Sequence, residues 1–203
     1  DPREAAPLSD AALTPYHAIK RSLDLLVPGS TALVIGVGGL GHMAVQILRA
    51  LSPARIVAVD LYEEKLHLAA EVGADETVSA GDGAAEEVRG LTGGRGVELA
   101  VDMVGTDDSI ALAAACARFC SHLTIVGLAG GQFQFGFGAL PFEAQLTIPY
   151  WGTAVELEEC LDLARAGKIS VHTERFELDQ VEEAYRRMRE GSLAGRAVIC
   201  PTG

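Results

Sequence analysis

Three glycines, Gly36, Gly38 and Gly41, lie in the stretch VIGVGGLGHMA with the spacing GxGxxG. After a strand, such glycines permit a tight turn, close approach of the backbone to a pyrophosphate, and close packing of the following helix. The free N–H groups and the positive dipole end of that helix also favour phosphate. We therefore predict a dinucleotide-binding loop rather than a merely structural turn. Its predicted binding residues are Gly36, Gly38, Gly39, Leu40 and Gly41.

Asp60 follows the last of these glycines by about 20 residues, at the predicted end of the next strand. A carboxylate in this position accepts hydrogen bonds from the adenosine ribose hydroxyls, although a strand-end turn is the alternative role. Its charge, together with that of Glu63 and Glu64, would repel the 2′-phosphate of NADP, so the sequence favours NAD as the cofactor. Lys65, the nearby cation, either reaches the ribose or lies on the helix surface.

Short β-branched runs alternate with helical patterns, which predicts a parallel sheet with helices on both faces. The predicted strands are residues 31–36, 54–60, 74–79, 97–105, 121–128 and 146–152, and the predicted helices are residues 11–26, 40–51, 63–73, 83–92 and 108–119. The Gly- and Phe-rich residues 130–145 are predicted to form an irregular connection. Beyond them, we expect helices at 154–167 and 179–191 and strands at 172–178 and 196–201. The predicted fold class is α/β, a Rossmann doubly wound parallel sheet with a small C-terminal α/β appendage.

Composition narrows the function classes. The chain has 203 residues, of which 49% are hydrophobic, and this suits one sizeable core. Its net charge of −12 makes nucleic acid and anionic membranes poor partners. We find no apolar run long enough to span a bilayer and no signal-peptide pattern.

The cysteines and histidines suggest no catalytic group of their own. Four cysteines without a CxxC pair indicate no disulfide framework, which favours a reducing, cytoplasmic compartment. Cys116 and Cys120 lie in the alanine-rich stretch ALAAACARFC, predicted as a buried helix, and core packing is favoured over a shared metal. His42 either helps the phosphate site or merely occupies a helix N-terminal position. We assign none of the five histidines a catalytic role.

Several segments together carry a family resemblance. They are APLSDAALTPYHAI, VPGSTALVIGVGGLGHMAVQIL, VAVDLYEEKLHLAAEVGAD, LTGGRG, VDMVG, TIVGL and GRAVI. In this order and spacing the chain resembles the medium-chain, zinc-dependent alcohol dehydrogenases, and among them the bacterial NAD-dependent members that act on secondary alcohols. The resemblance implies hydride transfer between an alcohol or ketone and NAD.

The resemblance covers only the second part of such a protein. In that family a GroES-like N-terminal catalytic domain precedes this part. The resemblance implies that most zinc ligands and the structural-zinc lobe lie outside these 203 residues. We therefore expect residues 1–10 to be a connection from a missing catalytic domain, 11–152 to be the dinucleotide-binding domain and 153–203 to be a segment returning towards the catalytic domain. Such a fragment should bind NAD and be inactive alone.

The resemblance also implies roles for individual residues. Asp10 matches a zinc ligand, although it would also suit a helix N-cap. Thr14 is our one candidate catalytic residue, because it matches a position that lies against the nicotinamide. One carboxylate cannot hold zinc, which needs about three protein ligands in a catalytic site, so we expect zinc in the intact protein and not in this chain alone.

Further matches concern the cofactor, the substrate and assembly. Val104 is expected to line the path from adenosine to ribose, and Val126, Gly127 and Leu128 the nicotinamide end. Arg196 either approaches the pyrophosphate or is a surface arginine. Tyr150 and Trp151 form either an apolar substrate wall or a subunit contact. Pairing through an edge strand near residues 145–152 would give a homodimer or higher homo-oligomer.

Two alternative functions stay open at this point. One is a zinc-independent quinone or enoyl reductase of the same superfamily, which would usually prefer NADPH; Asp60 and Asp10 argue against it. The other is a non-catalytic dinucleotide-binding sensor, whose glycine loop would look the same.

Overall fold

A six-stranded parallel sheet forms the centre of the molecule in the computed structural model, which describes residues 1–193 and 195–201. The strands are β1 (Thr31–Ile35), β2 (Arg55–Asp60), β3 (Glu76–Ser79), β4 (Val97–Asp102), β5 (Ala117–Ile125) and β6 (Gln145–Thr147), in the order β3-β2-β1-β4-β5-β6. This order reverses between β1 and β4, as in dinucleotide-binding sheets. The predicted α/β, Rossmann-type fold is confirmed.

Helices cover both faces of the sheet. They are α1 (Pro2–Ala5), α2 (Leu13–Lys20), α3 (Gly41–Leu51), α4 (Glu63–Glu71), α5 (Ala84–Leu91), α6 (Asp107–Cys116), α7 (Ala154–Arg165) and α8 (Val181–Arg189). Alternate residues of β1 enter two separate cores: Val34 packs with residues of α2 and α3, whereas Leu33 packs with residues of α5 and α6. Burial on both faces explains why β1 is a continuous apolar run.

The opening helix predicted at 11–26 is interrupted. A π-helical turn covers Leu8–Ala12, α2 follows, and a 3₁₀ turn covers Leu23–Leu25. Pro15 has no N–H group and its ring would clash with the carbonyl group of Ala11 in a continuous helix. The α-helix therefore begins at Leu13, so that Pro15 lies in its first turn.

The helix predicted at 108–119 is too long. α6 ends at Cys116, and β5 begins at Ala117, which pairs with Val97 of β4. The alanine-rich run has high helix propensity, but sheet pairing takes its last residues. Cys116 is therefore a buried helix residue, whereas Cys120 is exposed on a strand with φ +59°, so the expectation that they share one buried helix is wrong.

The C-terminal part contains the two predicted strands, β7 (Thr173–Glu177) and β8 (Arg196–Cys200), and the structure shows that they pair as a second, parallel sheet. Residues 130–144 contain no helix or strand, which confirms the irregular connection. β6 is shorter than the predicted strand at 146–152, and Pro149, which cannot donate to a ladder, lies outside it. Among the described residues, no helix combines the length and apolar composition that crossing a bilayer requires.

Candidate dinucleotide-binding site

The glycine loop joins the carboxyl end of β1 to α3, and the fold itself requires glycine at two of the three motif positions. Gly36 has φ +84°, which L side chains rarely adopt. A Cβ atom at Gly41 would overlap the carbonyl oxygen of Gly36, so only glycine lets α3 pack this close to the turn. Gly38 is different, because a Cβ atom there would meet nothing within 4 Å. Its glycine leaves open space beside the loop, where a ligand could contact the backbone.

Unbonded amides lie next to this space at the start of α3. The N–H groups of Gly38, Gly39, Leu40 and Gly41 have no acceptor within the described part of the chain. Helix N-terminal amides and the helix dipole attract anions, above all phosphate. The loop can therefore donate several backbone hydrogen bonds to one anionic group.

Asp60 lies beside the loop at the end of β2 and is 8% exposed. Its Oδ2 accepts a hydrogen bond of 2.6 Å from the amide of Val37, and its Oδ1 accepts one of 3.0 Å from the amide of Tyr62. A carboxylate has about four acceptor positions, so these two bonds leave acceptor capacity for a ligand hydroxyl. The Lys65 ammonium lies 4.9 Å from the centroid of the Tyr62 ring, in a cation–π arrangement.

A second backbone turn, after β4, lies beside the glycine loop. Asp102 at the end of β4 is fully buried, and its Oδ1 accepts hydrogen bonds from the amides of Val104 and Gly105, at 2.8 and 3.0 Å. The Ser109 hydroxyl donates to Asp102 Oδ2 at 2.8 Å. Gly127 lies in the turn that follows β5. A Cβ atom there would overlap the Val104 carbonyl, so this turn and the Val104–Gly105 turn are in backbone contact.

Val104 also touches the glycine loop, because a Cβ atom at Gly36 would overlap its Cγ2. The amides of Val126 and Gly127 both donate to the carbonyl oxygen of Asp102, whereas Leu128 is 95% exposed. Sequence reasoning chose Val104, Val126 and Gly127 but missed Asp102, which holds their turns. The signal was an acidic residue at the end of a buried strand, in VDMVG.

Arg196 brings the C-terminal sheet onto the glycine loop. A Cβ atom at Gly39 would overlap its Cδ, so the arginine side chain lies directly over the loop. Its guanidinium forms an ion pair with Asp10, whose Oδ1 also accepts a 3.5 Å hydrogen bond from the Thr14 hydroxyl. The structure thus brings three predicted site residues together. Asp10 does not cap α2, whose N-cap is Ala12 without a side-chain bond, so the capping role is wrong.

Tyr150 and Trp151 lie beyond β6 and are 86% and 50% exposed. Their rings form an edge-on pair with centroids 6.2 Å apart, and the indole N–H of Trp151 donates to the carbonyl oxygen of Ser9 at 2.8 Å. Trp151 therefore lies next to the segment that carries Asp10.

A further feature is an apolar cavity of about 610 Å³, lined by residues that include Ile110, Leu128, Phe133, Phe135 and Ile148.

Comparison with known proteins agrees with this geometry. The family model described as zinc-binding dehydrogenase matches residues 39–165. The chain belongs to the zinc-binding dehydrogenase family. Its similarity to the NAD-dependent alcohol dehydrogenase of Sulfurisphaera tokodaii is 32% identity, over 98% of this chain and 58% of the relative. To the alcohol dehydrogenase of Rhizobium meliloti it is 34%, over 96% and 56%.

Solved structures of the family have the same fold. The alcohol dehydrogenase from the archaeon Aeropyrum pernix superposes with a TM-score of 0.92 at 38% identity, over 98% of this chain and 58% of that one. This chain therefore spans somewhat more than half the length of the relatives it matches. The medium-chain dehydrogenase resemblance is confirmed.

The described part of this chain does not contain a complete set of ligands for zinc, the metal after which the family is named. Within residues 1–193 and 195–201, no three His, Cys, Asp or Glu side chains are grouped so as to hold a metal ion. Asp10 is a single carboxylate already bonded to Arg196 and Thr14. A catalytic zinc site needs about three protein ligands, so the residues present do not fit this metal on their own.

Proposed function

We propose that this chain is the NAD-binding part of a zinc-dependent alcohol dehydrogenase that oxidises alcohols to ketones or aldehydes by hydride transfer to NAD. The observation that carries the proposal is the set of unbonded amides at Gly38–Gly41, next to open space at Gly38 and with Asp60 bonded to the amide of Val37. The names of the relatives from Sulfurisphaera tokodaii and Rhizobium meliloti support the reaction class.

In this proposal the glycine-loop amides and Arg196 bind the pyrophosphate, and Asp60 accepts hydrogen bonds from the adenosine ribose. Lys65, whose ammonium lies over the ring of Tyr62, adds a contact to the ribose in this proposal. NAD is preferred because the 2′-phosphate of NADP would meet the carboxylate of Asp60. The preference for NAD is argued from Asp60 and not from family membership, because a 32% identical relative from Saccharolobus solfataricus is named D-arabinose 1-dehydrogenase (NADP(+)).

The nicotinamide end would lie along Val104, Val126, Gly127 and Leu128, with Thr14 across from them. Hydride transfer is the chemistry of the bound cofactor, and the protein orients the ring and excludes water. We propose Asp10 as one ligand of a zinc ion whose other ligands come from outside these residues. Without them we expect the chain to bind NAD and to be catalytically inactive.

We also propose a homodimer or larger homo-oligomer in the cytoplasm. β6 is an edge strand of the sheet, and apolar side chains stand exposed around it, among them Phe135, Phe137 and Ile148. Pairing this edge with a second copy would cover both the apolar surface and the unpaired backbone groups.

The four cysteines are all unpaired, which supports a reducing compartment. Tyr150 and Trp151 serve as a substrate wall or as part of this contact.

The substitution Gly38→Val tests the proposal. Because a Cβ atom at position 38 meets nothing in the fold, the melting temperature should change little, while the side chain fills the space proposed for the pyrophosphate. NADH fluorescence titration should show a loss of binding of at least about tenfold, or about 1.4 kcal/mol. Gly90→Ala, at an open and exposed position of α5, is the matched control. Unchanged NADH binding in Gly38→Val would contradict the proposed site.

A further inference from the structure

His42, the residue after the last motif glycine, is fully buried and bonded at both ring nitrogens. Its Nδ1 lies 2.9 Å from the carbonyl oxygen of Gly38, and the amide of His172 donates to its Nε2 at 3.1 Å. An amide can only donate, so Nε2 is the acceptor and Nδ1 carries the proton that Gly38 accepts. The ring is therefore neutral and joins the glycine loop to the segment that precedes β7.

Gln46 lies one turn further along α3 and contacts the same segment. Its Oε1 accepts a 2.8 Å hydrogen bond from the amide of Ser170, and its Nε2 donates a 2.9 Å hydrogen bond to the carbonyl oxygen of Ser170. Residues four apart on a helix share one face. The first two turns of α3 therefore hold the backbone of residues 170–172 by side chains on a single face.

This segment in turn holds Arg196. The carbonyl oxygen of His172 accepts a 2.9 Å hydrogen bond from the amide of Arg196, at the start of the β7–β8 pairing. Gly195 has φ +71°, and a Cβ atom there would overlap that same carbonyl oxygen. The contacts form a closed circuit: Gly38, His42, His172 and Arg196, whose side chain lies over Gly39 beside the starting point.

We propose that His42 is a positioning residue that holds Arg196 over the pyrophosphate loop through the backbone of His172. The inference rests on the proposed function, because it assumes that Arg196 and the loop bind the same pyrophosphate. It adds that the affinity of this site for a pyrophosphate depends on a hydrogen bond that touches neither the ligand nor the arginine side chain.

Two substitutions separate the two bonds of His42. His42→Asn keeps a polar group near the Nδ1 position, next to Gly38, but cannot reach the amide of His172. His42→Gln reaches the Nε2 position with an acceptor oxygen and gives up the bond to Gly38. Calorimetric titrations with ADP, which carries a pyrophosphate, and with adenosine, which does not, would be run on the 203-residue chain together with Arg196→Gln and the double variant His42→Asn/Arg196→Gln.

We expect His42→Asn to weaken ADP binding by about threefold to tenfold, in the range of one neutral hydrogen bond, and to leave adenosine binding unchanged. His42→Gln should keep most of the ADP affinity. The double variant should bind ADP no more weakly than Arg196→Gln, because His42 acts through that arginine. If His42→Asn does not fold, Gln46→Ala, at a half-buried position, should weaken ADP binding in the same selective way.

Three results would overturn this inference while the wild-type chain still bound NADH and ADP. The affinity losses of the two single variants could multiply in the double variant, or His42→Asn could weaken ADP and adenosine binding equally. His42→Asn and His42→Gln could also bind ADP with equal affinity. A wild-type chain that binds neither would instead refute the proposed function itself, and the inference with it.

Discussion

Asp60 has two possible roles, and the substitution Asp60→Asn separates them. In the structure its carboxylate joins β2 to the glycine loop by bonds to the amides of Val37 and Tyr62. In the proposed function it also accepts hydrogen bonds from the ribose. Asparagine has nearly the same shape but one acceptor oxygen and no charge.

The expected loss of stability follows from the two amides. Val37 is 1% exposed, so its amide has no access to water and should keep the remaining oxygen. Tyr62 is 50% exposed, so water can replace the bond that its amide loses. Weakening one charge-assisted bond and exchanging the other for water should cost about 1–2 kcal/mol. For a chain of this size that corresponds to a fall in melting temperature of about 2–8 °C.

The binding result decides between the roles. If Asp60 contacts the ribose, the ratio of NAD to NADP affinity should fall by at least about tenfold, because the ribose hydroxyls lose a charged acceptor and the 2′-phosphate loses a repulsive neighbour. NADH and NADPH fluorescence titrations on wild-type and variant chains measure that ratio.

Asp75→Asn is the matched control for Asp60→Asn. Asp75 lies near the opposite end of β2, where its carboxylate accepts from the amide of Ile56 and from Arg49. It should lose similar stability without any change in the cofactor ratio. If Asp60→Asn lowers the melting temperature and leaves the ratio unchanged, Asp60 only supports the loop and the ribose assignment is refuted.

Four further predictions concern the loop, pH, metal and assembly. Gly41→Ala should lower the free energy of unfolding by several kcal/mol, about 3 or more, because its Cβ atom overlaps the backbone of Gly36; denaturant curves close to wild type would contradict this. Burial lowers the pKa of His42 below its ordinary value of 6.5, so the unfolded chain takes up this proton first as the pH falls. Stability should therefore be full above pH 6.5 and decline below it, more steeply in wild type than in His42→Gln, and parallel denaturation curves would rule this out. Elemental analysis of the isolated chain should find no stoichiometric zinc, since Asp10 is its one expected ligand; one zinc per chain would refute this. Light scattering at tens of micromolar should show a dimer or larger assembly through the β6 edge, and a clean monomer would exclude it as a strong interface.

The fold could be predicted from the sequence where local and tertiary preferences agree. β1 and β4 are buried on both faces, and β1 is accordingly an almost continuous apolar run without the alternation of a half-exposed strand. Where the two preferences conflict, prediction was wrong. The alanine-rich run at 111–120 favours a helix locally, yet Ala117 pairs with β4 because the sheet needs a fifth strand there. At 11–26, periodicity alone did not reveal that a π-helical turn ends at Ala12 and that α2 begins at Leu13, with Pro15 in its first turn.

Within the site, the sequence revealed the glycine loop more readily than the contacts between distant segments, and it left the role of His42 open. Each motif glycine acts through its own backbone or its neighbour in the same turn, so spacing alone reveals the loop. Asp102 bonds the amides of Val104 and Gly105 in its own turn, so its signal lay within VDMVG. His42 bonds the amide of His172, which only tertiary structure brings to it, and GHMAVQ by itself is typical of an ordinary helix start. Arg196 shows the consequence. Its type and its place in a short motif suggested a phosphate contact, but what sets its position is a segment bound by the side chains of His42 and Gln46 on a distant helix. A contact made by one stretch of chain can be predicted from that stretch, whereas a site shared by two distant stretches also depends on the bonds that hold them together.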